Sequence, residues 1–145
     1  MTQAKTVKEL MSPTVLTIKT NQAIMPLCRL FFEMGIHHLP VVNEGGNLIG
    51  MLSASDVLKA FSYKLTSLSS TEETVVNESF PISELMTPAP LYVITPDESI
   101  RQVARLFIQH KIHALPVIEG EQVVGIVTAT DVLNNLLERD KIHFI

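Results

Sequence analysis

The feature that most constrains this chain is an internal duplication. The segment Gly50–Leu58 reads Gly-Met-Leu-Ser-Ala-Ser-Asp-Val-Leu, and it recurs at Gly125–Leu133 as Gly-Ile-Val-Thr-Ala-Thr-Asp-Val-Leu. Two further motifs recur at nearly the same spacing: Met-Ser/Thr-Pro begins at Met11 and Met86, and Ile-His-x-Leu-Pro-Val begins at Ile36 and Ile112. Several motifs repeated in the same order indicate one structural unit used twice. The sequence therefore predicts two similar halves, residues 1–65 and 80–145, joined by a polar linker at residues 66–79.

Each half is predicted to contain the same elements in the same order. A short extended piece, Val15–Ile18 or Leu91–Ile94, is followed by a helix, two strands and a final helix. Apolar residues at helical spacing support the first helix, which we expect to begin at Thr95-Pro-Asp-Glu98 in the second half. The strands are expected on either side of a glycine-containing turn, at His38–Val42 and Leu48–Leu52 and at Ala114–Ile118 and Val123–Val127.

This order predicts an α/β fold of the α+β kind. Each half carries a small three-stranded sheet with flanking helices. A sheet of three strands cannot cover its apolar face by itself. We therefore expect the two halves to pack against each other with pseudo-twofold symmetry.

Composition excludes several classes of protein. Of the 145 residues, 46% are apolar and 18% are charged, which is enough to bury a core. The formal net charge of −4 argues against nucleic-acid binding, which needs a clustered basic surface. No apolar run approaches the ~18 residues of a membrane span, and the N-terminus lacks the apolar core of a signal peptide. The lone Cys28 fits a reducing compartment, so we expect a cytoplasmic protein without membrane insertion.

Taken in order, the repeated motifs resemble the CBS (cystathionine β-synthase) domain, and two in tandem resemble a CBS pair, the Bateman module. The resemblance covers about Val7 to Leu137. It implies a regulatory module that binds an adenosine-containing ligand, AMP, ADP, ATP or S-adenosylmethionine, in the cleft between the repeats. It also implies a homodimer that signals to a regulated enzyme or transporter, with no covalent cofactor.

Asp56 and Asp131 occupy the same position of the Gly-h-h-Ser/Thr-x-x-Asp motif, in which h is an apolar residue. A carboxylate in the first turn of a helix can accept hydrogen bonds from both cis hydroxyls of a ribose, and the resemblance assigns these aspartates that role. The alternative is structural, because Ser53-x-x-Asp56 and Thr128-x-x-Asp131 also resemble helix N-caps.

Hydroxyl side chains surround both aspartates, at Ser53, Ser55, Thr128 and Thr130. At the N-terminus of a helix, hydroxyls and free backbone N–H groups suit a phosphate. Capping and turn formation are the alternative for each of them. Capping alone does not require a hydroxyl at Ser55 and Thr130, and together with the resemblance this favours ribose binding by the aspartates. For each single hydroxyl the two interpretations are equally compatible with the sequence.

His37 and His113 share a repeat position just before Leu-Pro-Val. In some relatives a basic residue here approaches the phosphate, which would hold the imidazole in its charged form. The alternative is a partly exposed histidine at a helix–strand junction. His38 stands where the second half has Ala114, so the two sites are not expected to be equivalent.

The resemblance also implies that the entry to each long helix borders the adenine. The pocket is expected to take elements from both repeats, so that each aspartate serves a nucleotide whose base rests on the other half. The residues concerned are Ile18 and Thr20 in the first half, and Val93 and Thr95 in the second. Ile18 and Val93 are equally compatible with ordinary strand core, and the side-chain pattern does not separate the two interpretations.

Neither a metal centre nor a catalytic site is predicted. No Cys or Glu cluster stands at ligand spacing, and no nucleophile–base pair or glycine-rich nucleotide fingerprint is present in the sequence. We therefore expect a binding module, not an enzyme. The alternative function keeps the fold but drops the ligand, which leaves an interaction or dimerisation unit.

Overall fold

Residues 5–12 and 14–143 are described by the structure, a computed structural model. Pro13, which closes the first Met-Ser-Pro motif, lies outside them. The α-helices in these ranges are α1 (Val7–Leu10), α2 (Ile24–Met34), α3 (Ala54–Lys64), α4 (Glu73–Ser79), α5 (Ile82–Leu85), α6 (Ile100–His110) and α7 (Ala129–His143), and a 3₁₀ helix spans Leu65–Ser67. The strands are β1 (His38–Val42), β2 (Leu48–Ser53), β3 (Thr87–Pro88), β4 (Ala114–Glu119) and β5 (Gln122–Thr128). None of the described helices has both the length and the apolar character needed to span a bilayer.

The chain forms two compact units whose bounds differ from those of the sequence repeats. One unit is the continuous segment Leu16–Leu91. The other combines the residues up to Val15 with those from Tyr92 onward. Each unit therefore takes the segment that carries its Met-Ser/Thr-Pro motif from the opposite repeat. The division into residues 1–65, 66–79 and 80–145 stays a prediction about the repeated sequence.

In the continuous unit, β1 pairs antiparallel with β2, and β2 pairs antiparallel with β3. The extended piece Val15–Ile18 adds only one parallel bridge, between Ile18 and Val41. The expectation that this piece forms the third strand was wrong. The third strand is Thr87–Pro88, because the Met-Thr-Pro segment lies along the other edge of β2.

The other unit repeats this arrangement with fewer paired residues. Strands β4 and β5 form a two-stranded antiparallel sheet. Single bridges flank it on both sides, from Ile94 to Val117 and from Ser12 to Ile126. The predicted three-stranded sheet is therefore reduced here to a hairpin with one bridge at each edge.

Gly50 and Gly125 explain why each motif segment can lie so close to its strand. A Cβ on Gly50 would stand 2.7 Å from Met86 Sδ and 2.8 Å from the Thr87 carbonyl oxygen. A Cβ on Gly125 would stand 2.6 Å from Met11 Sδ and 3.2 Å from the Ser12 carbonyl oxygen. Only glycine admits this approach. The repeated glycine and the repeated methionine are thus two sides of one contact.

Each unit buries its own apolar core beneath its sheet. In α2 and α6 the buried side chains recur at helical spacing, as predicted: Ile24, Leu27 and Phe31, and Ile100, Val103 and Phe107. In the continuous unit these pack with other buried residues, which include Ile18, Leu39, Val41, Leu52, Val57, Val76, Phe80 and Ile82. The core of the other unit also includes Val7, Ile94, Leu115, Val117 and Val127.

Helices α2 and α6 end at equivalent repeat positions, but α6 does not begin where the sequence predicts. Gly35 and Lys111 both close their helices in the left-handed conformation, at φ of 63° and 54°. The expected start of α6 at Thr95 was wrong, because the helix begins at Ile100 with Ser99 as its N-cap. Thr95–Glu98 forms a turn instead, closed by a bond from the Glu98 N–H to the Thr95 carbonyl at 3.2 Å.

Candidate functional site

Asp56 lies in the first turn of α3, directly after β2. Its backbone N–H donates to Ser53 Oγ at 3.0 Å, and the Ser53 N–H donates to Asp56 Oδ2 at 3.3 Å. This reciprocal pair is a capping box, which satisfies two N–H groups at the start of the helix. The carboxylate is half-buried, and its second oxygen, Oδ1, has the chemistry to accept a hydroxyl.

Asp131 repeats this geometry at the start of α7. Its N–H donates to Thr128 Oγ1 at 3.2 Å, and the Thr128 N–H donates to Asp131 Oδ2 at 2.8 Å. Both aspartates therefore perform the capping role that the sequence offered as the structural alternative. That role does not exclude ribose binding, because the capping bonds to the backbone use Oδ2 in both units.

The backbone of each repeated histidine meets the start of a helix. The Ala54 N–H donates to the His37 carbonyl at 2.9 Å, and the Ala129 N–H donates to the His113 carbonyl at the same distance. Both histidine residues are exposed. The histidine, hydroxyl and aspartate positions are thus adjacent in each unit, as the hypothesis of a phosphate site requires.

Ser55 and Thr130 are the exposed hydroxyl positions of this group. Each is the second residue of its helix. In α3 the N–H groups on either side, those of Ala54 and Asp56, already have acceptors. The Ser55 N–H and hydroxyl therefore remain for an external acceptor, as far as the described residues show.

The predicted adenine-bordering residues lie elsewhere in each unit. Ile18 is buried and pairs with Val41, three residues along β1 from His38 and thus about 10 Å along the strand. His38 is the residue that pairs with Ser53. Thr20 follows Ile18 in the direction away from His38 and is exposed. The structure does not bring Ile18 and Thr20 next to Asp56 of the same unit.

The equivalent residues of the second repeat, Val93 and Thr95, are both exposed. Val93 is 42% exposed, so it is not strand core. Thr95 is exposed, and its Oγ1 donates to Asp97 Oδ1 at 2.6 Å. This bond, above all, lowers the pKa of Asp97 from its ordinary value.

Two contacts, one in each unit, have no counterpart among the expectations from the sequence. Tyr92 stacks on His110, with ring centroids 3.7 Å apart and an angle of 17° between the planes. Asn77, a linker residue, accepts a hydrogen bond from the Met25 N–H at 2.9 Å. Neither has a signal in the sequence, because each contact joins residues that are far apart along the chain.

Within the described ranges, His, Cys, Asp and Glu side chains form no group of three that could hold a metal ion.

Comparison with known proteins places this geometry in context. A family model described as the CBS domain matches residues 7–63 and again residues 82–138. A homoserine O-acetyltransferase of Methanococcoides burtonii is 32% identical over 127 residues, which are 87% of this chain and 23% of that protein. The chain spans 21–42% of the length of the curated relatives that it matches.

Two solved structures share the fold over most of this chain. The CBS domain pair of protein MJ0100, in complex with 5′-methylthioadenosine and S-adenosyl-L-methionine, aligns with a TM-score of 0.77 and 27% identity. That alignment covers 92% of this chain and 97% of the other. CBSX2 in complex with AMP aligns with a TM-score of 0.75 and 25% identity, covering 94% of this chain and 99% of the other.

Proposed function

The chain belongs to the CBS domain family, and we propose that it is a regulatory module that binds an adenosine-containing ligand and signals its occupancy to a partner. One observation carries the proposal: in each unit the repeated aspartate and its hydroxyl partner cap the helix whose first N–H group bonds to the backbone carbonyl of the repeated histidine. The alignment with structures that hold AMP, S-adenosyl-L-methionine and 5′-methylthioadenosine supports the same ligand class.

The chemistry of each site fits the two polar parts of a nucleotide. Oδ1 of Asp56 or Asp131 accepts the ribose hydroxyls, while Oδ2 keeps its capping bond. A phosphate lies at the helix N-terminus near Ser55 or Thr130 and beside His37 or His113. A polyphosphate carries several negative charges, and one histidine in each site supplies little positive charge to balance them. We therefore favour AMP over ADP and ATP. S-adenosylmethionine, which carries a methionine group where the nucleotides carry phosphate, is the alternative ligand.

A ligand-free interaction module is the second candidate. It is favoured by the capping boxes, which already give both aspartates a structural task. In either case we propose a regulatory, non-catalytic module that acts on an enzyme or transporter. The cytoplasm is the proposed compartment, supported by a lone half-buried Cys28 whose thiol pKa is raised by burial.

Isothermal calorimetry with AMP, ATP and S-adenosylmethionine tests the proposal. The wild type is expected to bind at least one of them. Asp56→Ala and Asp131→Ala should each abolish binding at one site. Asn at these positions keeps an acceptor for the cap and loses the charge, so Asp56→Asn and Asp131→Asn separate the ribose role from helix stability.

Thermal melts provide an independent reading of the same question. A ligand present at 100 times its dissociation constant adds about 2.7 kcal/mol to the free energy of unfolding, which shifts the melting temperature by several degrees. An unchanged melting temperature with all three ligands would leave the interaction module as the function. Normal binding by all four aspartate variants would reject the ribose role.

We also propose that the chain forms a homodimer. Support comes from large apolar side chains exposed at equivalent repeat positions. Phe32 and Ile108 are 88% and 80% exposed, and Leu58 and Leu133 are 72% and 58% exposed. A contact between two copies of the chain would remove such large apolar side chains from water.

A further inference from the structure

The linker is a docked part of the continuous unit, although its composition is polar. Helix α4 buries Val76, and the residue after the helix, Phe80, is 2% exposed. The Phe80 ring packs against that of Phe61 with centroids 4.7 Å apart. Lys64 Nζ donates to the Ser79 carbonyl at 2.9 Å. These contacts fix the linker on α3 and its neighbours.

Asn77 joins this docked helix to the start of α2. The N-cap residue of α2 is Ala23, which has no side chain to accept a hydrogen bond. The first N–H groups of a helix need such an acceptor. Asn77 Oδ1 supplies it by accepting from the Met25 N–H at 2.9 Å. Arg29 and Glu73, whose charged atoms lie 2.7 Å apart, hold the same two helices together.

The second repeat fastens its long helix in a different way. Ser99, the residue before α6, accepts from the Gln102 N–H at 3.1 Å, so this helix caps itself. The turn before it is held by backbone bonds, from the Lys8 N–H to the Pro96 carbonyl at 2.8 Å and from the Val7 N–H to the Glu98 carbonyl at 2.9 Å. Only α2 depends on a linker side chain for its cap, within the described residues.

The start of α2 is continuous with the segment predicted to border the adenine. Ile18 is held by β1 through bonds of 3.0 Å and 2.8 Å to Pro40 and Val42. The next residues form a closed turn, in which the Lys19 N–H donates to Gln22 Oε1 at 2.7 Å. Ala23 then leads into the helix. Thr20 therefore lies between two anchors, β1 on one side and the Asn77 cap on the other.

We propose that Asn77 is a positioning residue for the ligand site that includes Ile18 and Thr20, and that ligand binding and linker docking stabilise each other. The inference rests on the proposed function and on the prediction that Ile18 and Thr20 border the adenine of one ligand. Coupling between two such events is reciprocal: if docking favours binding, binding favours docking by the same factor. The linker would then report the occupancy of one site and not of the other.

Hydrogen exchange and calorimetry on the full chain test this coupling, with AMP and S-adenosylmethionine as the probes. In the wild type, ligand should slow amide exchange across α4. Asn77→Ala should remove that slowing and weaken binding at one site by about fivefold or more. Asn77→Asp should restore both, because a carboxylate oxygen also accepts from the Met25 N–H.

Ser99→Ala is the matched control, because it removes the equivalent cap from α6. It should lower the melting temperature to a similar extent while leaving the slowing in α4 intact. Wild-type affinity together with wild-type slowing in Asn77→Ala would overturn the inference and leave the proposed function standing. Failure of Asn77→Asp to improve on Asn77→Ala would also overturn it. A wild type that binds neither probe would reject both proposals.

Discussion

Gly50 and Gly125 occupy the same repeat position, yet the atoms facing them differ in how easily they can move. The Gly50 position is faced by a backbone oxygen at 2.8 Å from an added Cβ, while at Gly125 the nearest backbone oxygen is 3.2 Å away. The other close atoms in both cases are the Sδ and Cγ of a methionine, which belong to a flexible side chain. The cost of a methyl group should therefore be greater at Gly50.

Gly50→Ala is expected to lower the free energy of unfolding by about 1–3 kcal/mol, as overpacking does, and Gly125→Ala by less. Chemical denaturation of the two variants measures the difference. Gly45→Ala is the control, because its added Cβ would meet only Asn43 Oδ1 at 3.4 Å. Equal losses at Gly50 and Gly125 would contradict the role given to the Thr87 carbonyl.

The bond from Thr95 to Asp97 sets a pH dependence of known sign. It lowers the pKa of Asp97 in the folded chain. The stability that it contributes is therefore fully present above the unfolded-state pKa of about 3.9, and it is lost as the pH falls through the lower folded-state value. Thr95→Val should return the pKa of Asp97 toward its ordinary value. An NMR titration of the Asp97 carboxyl carbon measures this, with Thr14→Val as the control, and an unchanged titration would count against the bond.

At the scale of elements, the sequence predicts the helices and strands whose bounds depend on neighbouring residues. Strand β1 has the predicted bounds, and the α+β class is confirmed. The start of α6 was wrong because the Thr-Pro-Asp-Glu signal is used by a turn that residues from the start of the chain hold in place. Helix α4 was missed because a seven-residue helix is too short to show a period.

Gly35 and Lys111 occupy the same repeat position at the ends of α2 and α6, and both have a left-handed backbone. Lys111 adopts a left-handed conformation that costs a side chain with a Cβ about 1 kcal/mol, whereas glycine adopts it freely. Lys111→Gly should therefore raise the free energy of unfolding by up to about 1 kcal/mol. Urea denaturation measures the gain. Gly35→Ala is the reciprocal variant and should lose a similar amount; a loss in Lys111→Gly would show that the lysine side chain has a compensating contact.

At the scale of the whole molecule, the sequence predicted two similar halves but not the composition of each compact unit. The contacts between the repeated Gly and Met residues decide which segment joins which unit. Local sequence does not predict that Met11 contacts Gly125 instead of Gly50. For the candidate site, the residues within one motif and its neighbouring histidine could be brought together from the sequence. The roles of Ile18, Thr20, Val93 and Thr95 stay predictions, because they depend on long-range packing.

The proposed homodimer belongs to this scale too. Sedimentation of the wild type is expected to give twice the chain mass. Phe32→Glu should shift the chain toward the monomer, because a charge at an apolar contact must be desolvated without a partner. Thr74→Glu places the same charge on an exposed position of α4 and should leave the dimer unchanged. A wild-type monomer at micromolar concentration would contradict the dimer.

The exchange of N-terminal segments has a consequence for biosynthesis. A ribosome releases residues 5–12 before the stretch Leu16–Leu91, yet their hydrogen-bonding and packing partners come from Tyr92 onward. The continuous unit can therefore fold during translation, before residues 5–12 meet their partners. Gene fragments cut at the repeat boundary would separate both methionines from their glycines. A fragment that encodes residues 16–91 keeps one pair together and is the piece to express alone.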